Sequence, residues 1–223
     1  MKRRGLLITL EGIDGAGKST QHRLLVKYLR SRGYRVTATR EPGGTRVGER
    51  IRAILLATGT KRLAALAELT LMYAARAQHL EEVVRPALAR GELVVSDRFN
   101  DASFAYQGFG RGLGAATVRA LDKVICGRTQ PDLTLFLDLA PSMALARAHG
   151  REARRNSARR RFEGEGLRSH ERVRAGYLAL AHQEPGRIKV LRGDREASGT
   201  QAEIRSLVDR FLGRRGRWPR ERG

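Results

Sequence analysis

One cysteine, one tryptophan and six prolines in 223 residues exclude a disulfide framework, a broad aromatic stacking surface and a proline-rich linker. The single thiol, Cys126, has no zinc-type Cys/His spacing around it and reads as a buried apolar filler. Five scattered histidines, His22, His79, His149, His170 and His182, show no ligand pairing and are given no metal or catalytic role. No apolar run approaches the roughly 20 residues of a membrane span, and the one behind Met1-Lys-Arg-Arg4 is too short for a signal peptide. A soluble, cytoplasmic protein is the expectation. At 41% hydrophobic, with no repeat, the chain suits a single core.

Acid is also scarce: 23 Asp and Glu face 44 Lys and Arg, a formal net charge of +21. Such a surplus raises a basic nucleic-acid-binding protein as one class of function. Its distribution argues otherwise, because five of the excess charges lie in Arg151 to Arg161, four in Arg214 to Gly223 and three in Lys2 to Arg4. Aromatic residues that would stack bases make up only 5%. Residues 1–213 read as one domain and 214–223 as a disordered basic tail, open to non-specific polyanion contact.

What is present is a phosphate-cradling pattern. Gly12-Ile-Asp-Gly-Ala-Gly-Lys-Ser19 fits G-x-x-x-x-G-K-[S/T], behind the apolar run Leu6 to Leu10 and ahead of a helical pattern ending at Gly33. Glycines at this turn let backbone N–H groups face an anion at the positive end of a helix. Lys18, expected to face solvent, adds a mobile charge, and the Ser19 hydroxyl suits Mg²⁺.

Further along, Tyr34 to Thr39, Leu93 to Ser96, Leu133 to Leu137 and Ile188 to Leu191 read as strands. Helical patterns lie at Val47 to Thr58, Leu63 to Arg90, Ala115 to Cys126, Pro141 to His149, Glu165 to His182 and Thr200 to Leu212, with a glycine-rich loop through Gly108, Gly110, Gly112 and Gly114. This alternation predicts an α/β fold: a five-stranded parallel sheet covered on both faces, its ligand crevice at the strands' carboxyl ends. Asp97 ends the third strand, where an acid orients Mg²⁺. Arg98 beside it is either an ion-pair partner or a second phosphate ligand. Asp138, followed by Ala140-Pro141, reads as structural.

At this point the chain closely resembles the thymidylate kinases. The resemblance runs from Leu6 to about Leu212 through Glu11-Gly-Ile-Asp-Gly-Ala-Gly-Lys-Ser-Thr20, Thr39-Arg-Glu-Pro-Gly-Gly-Thr45, Tyr73-Ala-Ala-Arg-Ala-Gln78, Asp97-Arg-Phe99, Ala105-Tyr-Gln-Gly-Phe-Gly-Arg-Gly112, Pro131 to Asp138 and Glu171-Arg-Val-Arg-Ala-Gly-Tyr-Leu178. It implies transfer of the γ-phosphoryl of ATP to thymidine monophosphate by a homodimeric kinase with a basic lid at about 150–162. Gly12, Asp14, Gly15, Ala16, Gly17, Lys18, Ser19 and Thr20 would hold ATP, with Ser19 and Asp97 on Mg²⁺. The acceptor would meet Asp14, Arg40, Glu41, Met72, Arg76, Arg98, Ser103, Tyr106 and Gln107, with Arg76 and Arg98 on its phosphate, Tyr106 near the 2′ position and Gln107 near the base. Arg52 would assist. In the bacterial type the loop lacks an arginine and the lid supplies one; Ala16 and the 151–161 segment fit, and Arg151 and Arg155 are assigned there beside Lys18, Asp97 and Arg98 as catalytic groups.

Two positions depart from the family pattern: Met72 replaces a phenylalanine that stacks on thymine, and Ala102 replaces a small hydroxyl residue, with Ser103 beside it. Arg160 also stands where the lid commonly has an acid. A kinase for another nucleotide or small acceptor is the nearest alternative.

Overall fold

Three short apolar segments, Leu6–Leu10, Leu93–Ser96 and Leu133–Leu137, dictate the architecture, since a strand apolar on both faces must be covered twice. In the computed structural model, residues 4–57, 63–147 and 166–214 are described. The expected lid, with Arg151 and Arg155, and the tail beyond Arg214 lie outside them.

The strands are β1 (Leu6–Glu11), β2 (Val36–Arg40), β3 (Leu93–Asp97), β4 (Leu133–Asp138) and β5 (Ile188–Arg192), all parallel in the order β2-β3-β1-β4-β5. Helices α1 (Lys18–Ser31), α2 (Arg46–Leu56), α3 (Ala65–His79), α4 (Arg85–Ala89), α5 (Asn100–Ser103), α6 (Gly114–Ile125), α7 (residues 141–147), α8 (Leu167–Gln183) and α9 (Ala197–Arg214) complete the order. Every residue of β1 is buried, and all but two of the buried apolar residues, Leu55 and Ala75, form one cluster from Leu6 to Leu212. Cys126 belongs to it.

Register levels the functional ends. Leu10 and Arg40 both pair with Asp97, so β1, β2 and β3 stop at one height. The sheet order reverses at β1, with β3 on one side and β4 on the other, which opens a crevice above their carboxyl ends.

Two segments differ from the sequence reading. The single helix expected over Leu63 to Arg90 changes at Leu80–Val84 into a π-helical stretch before α4. Pro86 has no N–H to continue the ladder, so the turn ahead of it is free to widen. The expected glycine-rich loop is helical as far as Gly110: α5 runs into a π-helical stretch, Phe104–Gly110. Its glycines serve close packing instead. A Cβ at Gly110 would lie 2.9 Å from Val173 of α8, and one at Gly176 of α8 would lie 2.9 Å from Phe109. Only Gly112 and Gly114, at φ of +75° and +77°, take the left-handed turn.

Candidate active site

Residues 12–17 join β1 to α1 through glycines at positive φ, +141° at Gly12 and +91° at Gly15. Each is also held by contact: a Cβ at Gly12 would sit 2.6 Å from the Leu137 carbonyl, and one at Gly15 would sit 2.5 Å from that of Ala144. No side chain caps α1 at Gly17, so the positive end of the helix opens onto the loop. Lys18 is buried, not solvent-facing: its ammonium folds back and donates to the Ile13 carbonyl at 2.9 Å, 3.8 Å from Asp14. Burial, joined by the charge of Arg98, pushes it down to about 8.

Across the crevice, the Ser19 hydroxyl donates to Asp97 Oδ2 at 2.9 Å, bringing a hydroxyl and a carboxylate oxygen together. Arg98 is the one non-glycine residue at positive φ among the described residues, at 73°. That conformation costs a bulky residue energy, and here it coincides with a side chain laid over the phosphate loop. Nη1 donates to the Gly12 carbonyl at 2.9 Å and to the Tyr177 hydroxyl at 3.1 Å; Nη2 donates to Asp14 Oδ1 at 2.7 Å and to the Tyr106 hydroxyl at 2.9 Å. Behind it Tyr177 donates to Glu11 Oε2 at 2.8 Å, while Glu11 Oε1 accepts the Phe99 N–H at 2.7 Å. Burial, reinforced by Asp101, pushes the Glu11 carboxyl up to about 8.

Arg76 reaches the same segment from α3. Its guanidinium lies 4.5 Å from the Tyr73 ring centroid, with Nε donating to Glu41 Oε2 at 2.7 Å and Nη2 to the Phe99 carbonyl at 3.1 Å and Ser103 Oγ at 3.0 Å. Nη1 is buried without a hydrogen-bond partner among the described residues. Such a donor needs an acceptor.

A family model described as "Thymidylate kinase" matches residues 10–204. The chain belongs to the thymidylate kinase family. A thymidylate kinase of Desulfovibrio desulfuricans is 47% identical over 214 residues, covering 95% of this chain and 99% of that protein. One from Methylococcus capsulatus is 50% identical over 208 residues, covering 93% and 97%. The crystal structure of thymidylate kinase from Ehrlichia chaffeensis matches with a TM-score of 0.74 at 28% identity, covering 92% of this chain and 99% of that one. The chain is thus an ATP-dependent nucleoside-monophosphate kinase on the phosphate-loop fold, as its motifs implied.

Within the kinase, the structure gathers Asp14, Lys18, Arg98 and Tyr106 into one cluster and Glu41, Arg76 and Ser103 into another. Other expected site residues stand differently. Exposed Arg40 turns outward to a two-bond pair with half-buried Glu49, both at 2.9 Å, and Arg52 donates to the Pro42 carbonyl at 2.7 Å. Gln107 is buried and donates to Glu68 at 2.7 Å. Met72 is partly buried on α3, one turn before Arg76. Asp138 holds Arg174 through bonds of 2.6 and 2.8 Å, in keeping with a structural role.

Sequence reasoning missed Glu11, Tyr177 and His79, although the first two lie inside quoted motifs. An acid closing a fully buried strand was the available signal for Glu11. It also missed a cleft of ≈ 300 Å³ on the far side of the phosphate loop, lined by Ala16, Gly17, Thr20, Arg147, Gly193 and Arg195. Arg147 is anchored there by the Gly193 carbonyl at 2.8 Å.

Proposed function

We infer that this kinase transfers the γ-phosphoryl group of ATP to thymidine monophosphate, giving thymidine diphosphate. The observation that carries the reading is the pair of guanidinium groups, Arg98 and Arg76, anchored on the 97–103 segment beside a phosphate loop, with Arg76 Nη1 still open. The loop from Gly12 through Asp14, Gly15, Ala16 and Gly17 to Lys18, Ser19 and Thr20 receives the donor phosphates, and the cleft beside Arg147 receives the donor nucleoside. Arg76 and Arg98 receive the acceptor phosphate. Asp14 faces the acceptor sugar, and Tyr106 closes the 2′ side. Met72 lies against the base. Ser103 and Gln107, bonded to Arg76 and Glu68, shape the wall behind it. Glu41 acts by holding Arg76, and Arg40 braces the rim of the Arg-Glu-Pro turn through Glu49.

The acceptor is a phosphate monoester that is largely dianionic at neutral pH, so its oxygen needs no general base. What the reaction demands is alignment and neutralisation of charge. Lys18 and Arg98 supply charge at the loop, and Arg151 and Arg155 of the lid, outside the described residues, supply the arginine that Ala16 cannot. Ser19 and Asp97 offer two hard oxygen donors suited to Mg²⁺. No group of three or more His, Cys, Asp or Glu suited to a metal occurs among the described residues. When bound, Mg²⁺ neutralises charge on the β- and γ-phosphates.

Exposed Val47 and Ile54 on α2 and Leu66 on α3 support a homodimer contact on that face. No helix among the described residues is long and apolar enough to cross a membrane, and the cytoplasm remains our placement. The basic tail is assigned salt-sensitive polyanion contact. An acceptor screen with ATP and Mg²⁺ tests the central reading: thymidine monophosphate should give the highest kcat/KM, and a preferred cytidine or purine monophosphate would overturn it.

A further inference from the structure

His79 ends α3, fully buried, three residues after Arg76 and so on the same helix face. Its Nδ1 lies 2.8 Å from Glu41 Oε1. A carboxylate can only accept, and Glu41 is ionised: burial works against its charge, but Arg76 and His79 outweigh it and hold the carboxyl below its usual range. Nδ1 therefore carries the hydrogen and donates. On the other side of the ring, Nε2 lies 2.6 Å from Thr39 Oγ1 at the end of β2. The ring is also pressed from above, since a Cβ at Gly44 would sit 2.8 Å from its Cδ2. Strand, turn and packing thus fix the imidazole before it touches Glu41.

Glu41 is divided as a result. Oε1 belongs to His79 and Oε2 to Arg76 Nε at 2.7 Å. Carboxylates favour a two-bond fork against guanidinium. A Glu41 released from His79 could turn both oxygens onto the Nε and Nη2 edge, competing with the Phe99 carbonyl and Ser103 for Nη2 and swinging the group that carries Nη1. With His79 in place, the pairing stays single and Nη1 keeps its direction.

We propose that His79 is a positioning residue for acceptor binding, holding Glu41 so that Arg76 keeps one guanidinium nitrogen free and aimed for an incoming phosphate monoester. This rests on the reading that Arg76 meets the acceptor phosphate. The chain of support runs Thr39, His79, Glu41, Arg76, and no member before Arg76 touches the substrate.

The test is steady-state kinetics on the full chain with thymidine monophosphate and ATP varied separately. His79→Ala should raise KM for the acceptor roughly 10-fold to 100-fold, the size of one lost hydrogen bond to a charged group, while KM for ATP stays within about twofold. His79→Asn puts an amide N–H near the Nδ1 position and should recover most of the acceptor affinity. His79→Gln puts its amide near Nε2 and should behave like Ala. A role in folding alone predicts no such split between Asn and Gln. Unchanged ATP affinity serves as the internal check that each variant is folded. Equal behaviour of Asn and Gln, or a normal acceptor KM in His79→Ala, would overturn the proposal. Arg76→Ala separates the two levels: if it binds acceptor normally, the reading of Arg76 itself fails, whereas a weakened Arg76→Ala beside a normal His79→Ala sinks the His79 proposal alone.

Discussion

Asp14 of the phosphate loop and Arg98 just beyond β3 are joined at 2.7 Å across 84 residues of chain. Burial disfavours the Asp14 charge, but Arg98 and Lys18 outweigh it and hold the carboxyl far below its usual range. The phosphate loop and Arg98, to which we assign the acceptor phosphate, are therefore mechanically one unit, and Asp14 presents a fixed hydrogen-bond-accepting oxygen to that arginine. Asp14→Asn removes the charge while nearly keeping the shape. The expected result is a fall of about 10-fold to 100-fold in kcat/KM for thymidine monophosphate, from loss of a charge-assisted contact at Arg98 and at the sugar. Initial-rate kinetics check it, and a loss below about threefold would remove Asp14 from the acceptor site.

Glu11 gives the fold a pH signature. In the folded chain its carboxyl is pushed up to about 8 from 4.5, first by burial and then by Asp101. A raised folded value means that this group's stability contribution is fully present below pH 4.5 and is lost as pH rises through 8. Lys18, pushed down to about 8 from 10.5, adds slope only above that window. Thermal melts of the parent should therefore fall in midpoint from pH 5 to pH 8 more steeply than those of Glu11→Gln, which has no proton to lose. Parallel slopes in the two proteins would show that burial does not perturb Glu11.

The sequence made short-range features legible and left long-range ones hidden. Gly12, Gly15 and Gly17 announce themselves because a left-handed backbone demands glycine wherever the chain goes afterwards. The strands announced themselves because β1 and β3 are apolar on both faces. By contrast, Arg98 had an adjacent acid in Asp97, and only the fold shows that Ser19 takes that acid while Arg98 takes Asp14. Gly110 read as a loop glycine until α8 approached it, and the bond that Gln107 makes to Glu68, 39 residues away, had no local signal. His79 carried no local ligand pattern, since its partners Thr39 and Glu41 come from another element.

Ser19 and Asp97, 2.9 Å apart, set the next expectation. Asp97→Asn keeps a hydrogen-bond acceptor for the serine but withdraws the charge that would orient Mg²⁺ and its waters. Free Mg²⁺ needed for half-maximal turnover should rise by roughly tenfold, the lower end for a displaced metal-orienting group. Titration of activity against free Mg²⁺ at saturating nucleotides measures it. A loss of kcat with no change in Mg²⁺ dependence would place Asp97 outside the metal site.

The base is the last open point, and it turns on Met72. This residue lies on α3 four positions before Arg76, so it shares the face that carries the Arg76 guanidinium. Met is flexible and polarizable and still packs on a base, yet it lacks an aromatic face. The phosphate and sugar contacts that we propose for Arg76, Arg98, Asp14 and Tyr106 do not depend on the base, so thymidine monophosphate should remain the best acceptor, with deoxyuridine monophosphate weaker and ribonucleotides poorest. Met72→Phe restores a stacking surface worth about 1 to 3 kcal/mol, and KM for thymidine monophosphate should fall roughly 5-fold at the conservative end. Because Met72 is only partly buried, the larger ring can be taken up without overpacking, and the melting midpoint should stay put. The order of acceptors should not change, only the spacing between them. If KM is unaltered while the melting midpoint holds, the base does not lie against residue 72, and the acceptor must be turned so that another wall of the crevice meets it.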